Sequence, residues 1–179
     1  MDDLTSQLES LEKENLISGV NATRKTIILG ADHAGFELKE QIKKFLKSSG
    51  YVVEDEGSFV LTEGDDYPEI CKIVAKRVSA EPSVYQGILF GGSGQGEAIT
   101  ANRLPGVRAV VYYGGDENII KLSRDHNNAN ILSLGSRSLN LEQVQKMITL
   151  WLTTPFSGDE RHVRRLQKID GQIEEENIF

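Results

Sequence analysis

From Thr26 onward the chain alternates short apolar runs with longer segments whose apolar positions recur at helical spacing. Runs such as Thr26-Ile-Ile-Leu29 and Gly87-Ile-Leu-Phe90 have the length and composition of buried strands. The pattern predicts strands over Thr26–Leu29, Tyr51–Glu54, Gly87–Phe90, Ala109–Tyr113 and Asn130–Gly135. Helices are predicted between and after them over Gly35–Ser48, Pro68–Val78, Gln95–Arg103, Glu117–His126, Leu141–Leu152 and Ser157–Ile169. Pro68 suits a first helical position, and Ser157 with Glu160 reads as a capping box that opens the last helix. Five strands with intervening helices imply a Rossmann-like, three-layer α/β domain around a parallel sheet.

Residues 1–24 follow a different pattern: Leu4, Leu8 and Leu11 sit at helical spacing in an acidic, polar segment with no strand signal. They are expected to form a short helix or a frayed extension, joined through a linker at Gly19–Thr23 to a domain over residues 25–170. An acidic tail, residues 171–179, follows. The net charge of −7 is concentrated in these ends, which leaves the body of the domain close to neutral. With no basic stripe, sequence-independent binding to nucleic acid is disfavoured. A single cysteine excludes an internal disulfide and fits a reducing cytosol. No apolar run is long enough to span a membrane as a helix, and the start Met-Asp-Asp-Leu lacks a secretory signal pattern. The expectation is a cytoplasmic protein with neither membrane nor nucleic-acid partner.

The most informative stretch is Gly91-Gly-Ser-Gly-Gln-Gly-Glu97, where a strand runs into a glycine-dense turn and then a helix. Gly91, Gly92, Gly94 and Gly96 permit tight backbone and close approach of a ligand, and free N–H groups at the helix start favour an anion. Glu97 either balances the helix dipole or, beside an anion hole, acts as a general base. Ligands in such folds sit beyond the carboxyl ends of the strands. Gly30-Ala-Asp-His-Ala-Gly35, the glycine loop, Asp125-His126-Asn127-Asn128 and Gly135-Ser-Arg137 are all expected at that edge. Each has a local alternative: Asp32 as a helix cap, His126 at a helix C-terminus, Arg137 as a solvated charge.

These residues, in this order, resemble the type B ribose-5-phosphate isomerases and the related galactose-6-phosphate isomerase subunits. The resemblance rests on Gly-Ala-Asp32-His33-Ala-Gly, Asp66-Tyr67-Pro68, the glycine loop through Glu97, Ala101-Asn102-Arg103, Asp125-His126-Asn127-Asn128-Ala129 and Thr153-Thr154-Pro155-Phe156, and covers roughly residues 25–169. Where the enteric-type branch carries a catalytic cysteine, this chain has Gly91, so it is similar instead to the actinobacterial-type branch, whose base matches Glu97. Residues 1–24 have no counterpart in the family pattern.

The resemblance implies aldose–ketose isomerisation of ribose 5-phosphate and ribulose 5-phosphate through an enediolate, with no cofactor and no metal. Glu97 would carry the proton between C1 and C2, and Ser93 with the backbone of residues 93–97 (Gly94, Gln95 and Gly96 among them, beside Gly92) would hold the developing charge. His126 matches the proton donor of ring opening, Asp32 is placed to orient or deprotonate a hydroxyl, and His33 and Asn127 look like substrate contacts. From its glycines alone the loop would be the phosphate site; the family pattern instead gives the phosphate to arginines. Arg161 and Arg165, four apart on one helix, with Arg137, suit a dianion. The resemblance further implies that the C-terminal helix reaches a partner subunit, giving a homodimer with shared active sites; dimer versus tetramer stays open, and the alternatives are an isomerase of a six-carbon sugar phosphate (allose or galactose 6-phosphate) and a non-catalytic sugar-phosphate-binding regulatory protein. Cys71 is expected in the core, away from the strand ends, and the three histidines lack metal-ligand spacing, so no metal is expected.

Overall fold

The computed structural model describes residues 25–171, so the expected extension over residues 1–24 and the tail beyond Gly171 lie outside the described residues. The elements run β1 (Thr26–Ala31), α1 (Phe36–Ser48), β2 (Val53–Asp55), α2 (Tyr67–Ala80), β3 (Tyr85–Gly91), α3 (Gln95–Ala101), β4 (Ala109–Tyr112), α4 (Asn118–Asp125), β5 (Ile131–Gly135), α5 (Leu141–Thr153) and α6 (Glu160–Asp170). All five strands pair in parallel, in the order β2-β1-β3-β5-β4.

Both faces of the sheet are covered, which is why its central strands are apolar at consecutive positions. Ile27, Leu29 and Ala31 of β1 face Ile42 and Leu46 of α1 and Ile148 and Trp151 of α5. Ile28, with Leu89 and Ile131, faces Cys71, Val74 and Val78 of α2 and Ala101 of α3.

The caps of two helices differ from expectation. The Ser157–Glu160 box does not form: α6 begins at Glu160 with Asp159 as its uncapped N-cap, because the Ser157 hydroxyl donates instead to the Asp125 carbonyl at 2.9 Å. A complete capping box stands on α5, where Gln143 N donates to Asn140 Oδ1 at 2.9 Å and Asn140 N donates to Gln143 Oε1 at 3.0 Å.

The loop after β2 is fixed by ions. Lys39 of α1 is fully buried, and its ammonium donates to both Asp55 oxygens at 2.7 and 2.6 Å and to Glu40 at 3.0 Å. Asp55 Oδ1 also accepts from Gly57 N at 3.1 Å, and the loop is stitched to the end of β1 through Ala31 N to Gly57 O at 2.8 Å and Ser58 N to Ala31 O at 2.9 Å. Burial alone would raise the Asp55 pKa, but hydrogen bonds from Lys39, Lys43 and Gly57 outweigh it and hold it below the ordinary range. That contribution to stability is therefore present above the usual carboxylate pKa and fades as pH falls towards the lowered one. Asp55→Ala should cost about 3 kcal/mol in a denaturant titration, the low end for breaking a buried pair because Glu40 remains beside Lys39.

Candidate active site

Register brings the ends of three strands together, with Ala31 beside Phe90 and Gly91 beside Gly135. The chain leaves β1 towards β2 on one side and β3 towards β4 and β5 on the other, so the crevice beyond β1 and β3 is the switch point of the sheet. Asp32 sits there, buried. Its Oδ1 accepts from Gly35 N at 2.9 Å, and its N–H donates to the Phe90 carbonyl at 3.2 Å, so it ties the β1 turn to the glycine loop and caps that turn as well.

In the glycine loop only Gly94 has a positive φ, 77°. The others are required by close approach. A Cβ on Gly91 would lie 1.8 Å from a carboxylate oxygen of Glu97, one on Gly92 3.1 Å from the Arg137 guanidinium carbon, and one on Gly96 2.5 Å from the Tyr67 hydroxyl. Glu97 thus folds back from α3 into the space that a side chain at position 91 would fill, and is 4% exposed. Burial raises its pKa above the ordinary glutamate range, its own N–H partly offsets this, and the negative charge of Asp32 adds to the rise. Ser93 is exposed at the turn, where its hydroxyl accepts from Gln95 N at 3.3 Å. Ser133 donates to the Gly94 carbonyl at 2.6 Å and anchors the loop.

His33 follows Asp32 and is held from outside the glycine loop. Asp65 Oδ1 accepts from His33 N at 3.0 Å and lies 2.7 Å from its ring Nδ1, while Oδ2 accepts from the Ser58 hydroxyl at 3.1 Å. Burial would raise the Asp65 pKa, but these hydrogen bonds bring it below the ordinary range. Sequence reasoning missed Asp65 because Asp65-Asp66-Tyr67-Pro68 reads as a helix entry; only the folding of the loop after β2 brings it to β1. Cys71 lies in the core, as expected. Although buried in the core, it feels the charges of Glu97 and Asp32, which add to burial in pushing its thiol pKa up. It is therefore a protonated, packed thiol beneath the site. Cys71→Ala should retain activity within a few-fold in an initial-rate assay.

His126 and Asn127 are not at this edge, contrary to expectation, and neither are Arg161 and Arg165, which are expected to serve a partner's site. A helix joining two adjacent parallel strands runs against them, so α4 carries His126 back to the amino ends of the strands. There Asn130 O accepts from Gly87 N at 2.9 Å, and Arg108, just before β4, donates to Asp170 of α6 at 2.7 Å. The His126 ring stacks on that of His162 in α6, with centroids 4.2 Å apart and planes at 16°. His162 is buried with no partner on Nε2 among the described residues, and burial, with the nearby His126 ring and the Arg161 charge, lowers its pKa. Arg161 and Arg165 are both exposed on α6. The candidate residues therefore fall into two separate groups: Asp32, His33, Gly92, Ser93, Gly94, Gln95, Gly96, Glu97 and Arg137 at the carboxyl edge, and the histidine–arginine group at the amino edge. The five residues of β5 separate them by about 15 Å. Among the described residues no three His, Cys, Asp or Glu side chains converge as metal ligands.

Comparisons with known proteins show the family. Residues 27–169 match the Ribose/Galactose Isomerase family. The chain belongs to that family. It is 41% identical over 140 residues to ribose-5-phosphate isomerase B of Mycolicibacterium paratuberculosis, covering 78% of this chain and 86% of the relative. The Escherichia coli ribose-5-phosphate isomerase B is 39% identical over 145 residues, with 81% and 94% covered. A solved structure of the Mycoplasma genitalium ribose-5-phosphate isomerase B with bound ribulose 5-phosphate superposes with a TM-score of 0.77 at 35% identity, covering 81% of this chain and 93% of that one. The family match spans the residues of both edges.

Proposed function

We propose that the domain over residues 25–170 interconverts ribose 5-phosphate and ribulose 5-phosphate by proton transfer through Glu97, with the amino-edge residues of a second copy completing each site. The observation that carries the chemistry is the buried Glu97 carboxylate, set in the space Gly91 leaves open and made more basic by burial. A base of raised pKa can take a proton and return it. On the open-chain aldose, Glu97 removes the proton from C2, the electron pair forms the C1–C2 double bond of an enediolate, and the aldehyde oxygen takes up negative charge. Glu97, whose proton exchanges with solvent while the enediolate lasts, then protonates C1 as the C2 oxygen becomes a carbonyl and its hydroxyl proton passes to the C1 oxygen. Ser93 and the loop N–H groups of Gly94 to Gly96 stand where that charge develops, and Asp32 lies beside them to orient a hydroxyl.

Ring opening and phosphate binding fall to the other half-site. His126 protonates the ring oxygen, Asn127 contacts the sugar, and Arg161 and Arg165 of the partner, with Arg137, clamp the phosphate. Family membership and the separation of about 15 Å within one chain support a homodimer with shared sites. No helix among the described residues is long and apolar enough to cross a membrane, and we place the enzyme in the cytoplasm.

Purified full-length protein should isomerise ribose 5-phosphate, followed by NMR in D₂O with EDTA present, and incorporate deuterium at C1 of the ketose. Parallel reactions with allose and galactose 6-phosphates test sugar length. Turnover of a six-carbon substrate alone would move the specificity, and no turnover of any aldose phosphate would overturn the reading.

A further inference from the structure

We propose that Asp65 is a positioning residue that holds the His33 ring with its hydrogen on Nδ1 and so presents Nε2 to the substrate. Three contacts carry this. The same Asp65 oxygen receives both the His33 backbone N–H, at 3.0 Å, and the ring Nδ1, at 2.7 Å, so backbone and ring are fixed together. The second oxygen is held by the Ser58 hydroxyl at 3.1 Å, which removes the freedom of the carboxylate to rotate away. Ser58 is itself anchored, its N–H donating to the Ala31 carbonyl at 2.9 Å at the end of β1. The chain of contacts therefore runs from the turn after β1 back to the end of β1, and the ring is pinned to the turn that also carries Asp32.

A carboxylate has only acceptors, so the nitrogen facing it must bear the hydrogen. The hydrogen bond made by one ring nitrogen sets the state of the other. Nε2 is left with no protein partner among the described residues, on a side chain that is 33% exposed. In the neutral ring it is an acceptor matched to a sugar hydroxyl. Without Asp65 the ring would be free to turn and to place its hydrogen on Nε2, presenting a donor where an acceptor is needed. This rests on the isomerase reading for the identity of the substrate, but not for the state of the ring.

Long-range ¹H–¹⁵N NMR on the full-length protein, with His33 assigned through His33→Gln, reads the ring directly. The parent and Ser58→Ala should show hydrogen on Nδ1 and a bare Nε2 at a pH where the ring is neutral. Asp65→Ala should shift the population to hydrogen on Nε2, and Asp65→Asn, which keeps an acceptor, should restore the parent pattern. In the isomerase assay Asp65→Ala should lower kcat/KM by about tenfold to a hundredfold, the range for removing the orienting partner of a functional histidine. Adding His33→Gln to it should then cost little more. An unchanged ring state in Asp65→Ala, or a changed state with parental kcat/KM, would overturn the proposal. Absence of isomerase activity in the parent would defeat the functional reading while the NMR comparison still decides the role of Asp65.

Discussion

Glu97→Gln is expected to fold as the parent does and to lose at least about a hundredfold in kcat/KM, the lower bound for removing a general base. The amide keeps the shape of a side chain that is 4% exposed, so packing is preserved while the acceptor of the C2 proton is lost. Deuterium incorporation at C1 should fall in step with turnover, because both pass through the same proton transfer. The pH profile gives an independent reading. Burial, reinforced by Asp32, raises the Glu97 pKa, so the acid limb of kcat/KM should lie above the ordinary glutamate range; below it Glu97 is protonated and cannot accept. The limb should vanish in the residual activity of Glu97→Gln. Near-parental turnover in that variant would leave Glu97 as a helix-dipole residue.

Gly91→Ala should reproduce that loss by a different route. Its Cβ would fall 1.8 Å from a Glu97 carboxylate oxygen, and the flexible end of a glutamate yields more readily than strand backbone. The fold should survive with the base expelled from its place. Circular dichroism and melting temperature close to the parent's, with kcat/KM down about a hundredfold, is the expected result. Unchanged kinetics would show that the position of the carboxylate is not what makes it the base. A marked fall in melting temperature would show that the strand, not the side chain, absorbs the clash.

The alternation of apolar runs and amphipathic segments was enough to read the strand and helix order, because a sheet covered on both faces leaves no other way to bury Ile27, Ile28 and Leu29 in succession. The glycine loop was legible as a site, but not the reason for its glycines. They make room for Glu97, Arg137 and Tyr67, side chains whose approach depends on tertiary packing. Asp65 was hidden for the same reason: its partner His33 is 32 positions away. The misplacement of Asp125-His126-Asn127-Asn128 has a geometric cause. Motif order suggests one cluster, whereas the alternation of strand and helix directions sends the end of α4 to the opposite edge from the end of β5. That alternation was already implied by a parallel sheet and, followed through, places His126 with Arg161 and Arg165.

The measurement that bears most directly on a site built from two edges of two copies is subunit mixing. Glu97→Gln disables the carboxyl-edge half and His126→Ala the amino-edge half, so each homodimer should be inactive. Unfolded and refolded together, they form mixed dimers in which one site joins an intact Glu97 to an intact His126. With random assortment half the dimers are mixed and each has one working site, so about a quarter of the parental activity should return. Mixed dimers isolated by two affinity tags and found inactive would contradict the account, since both residues would then have to serve the site of a single chain.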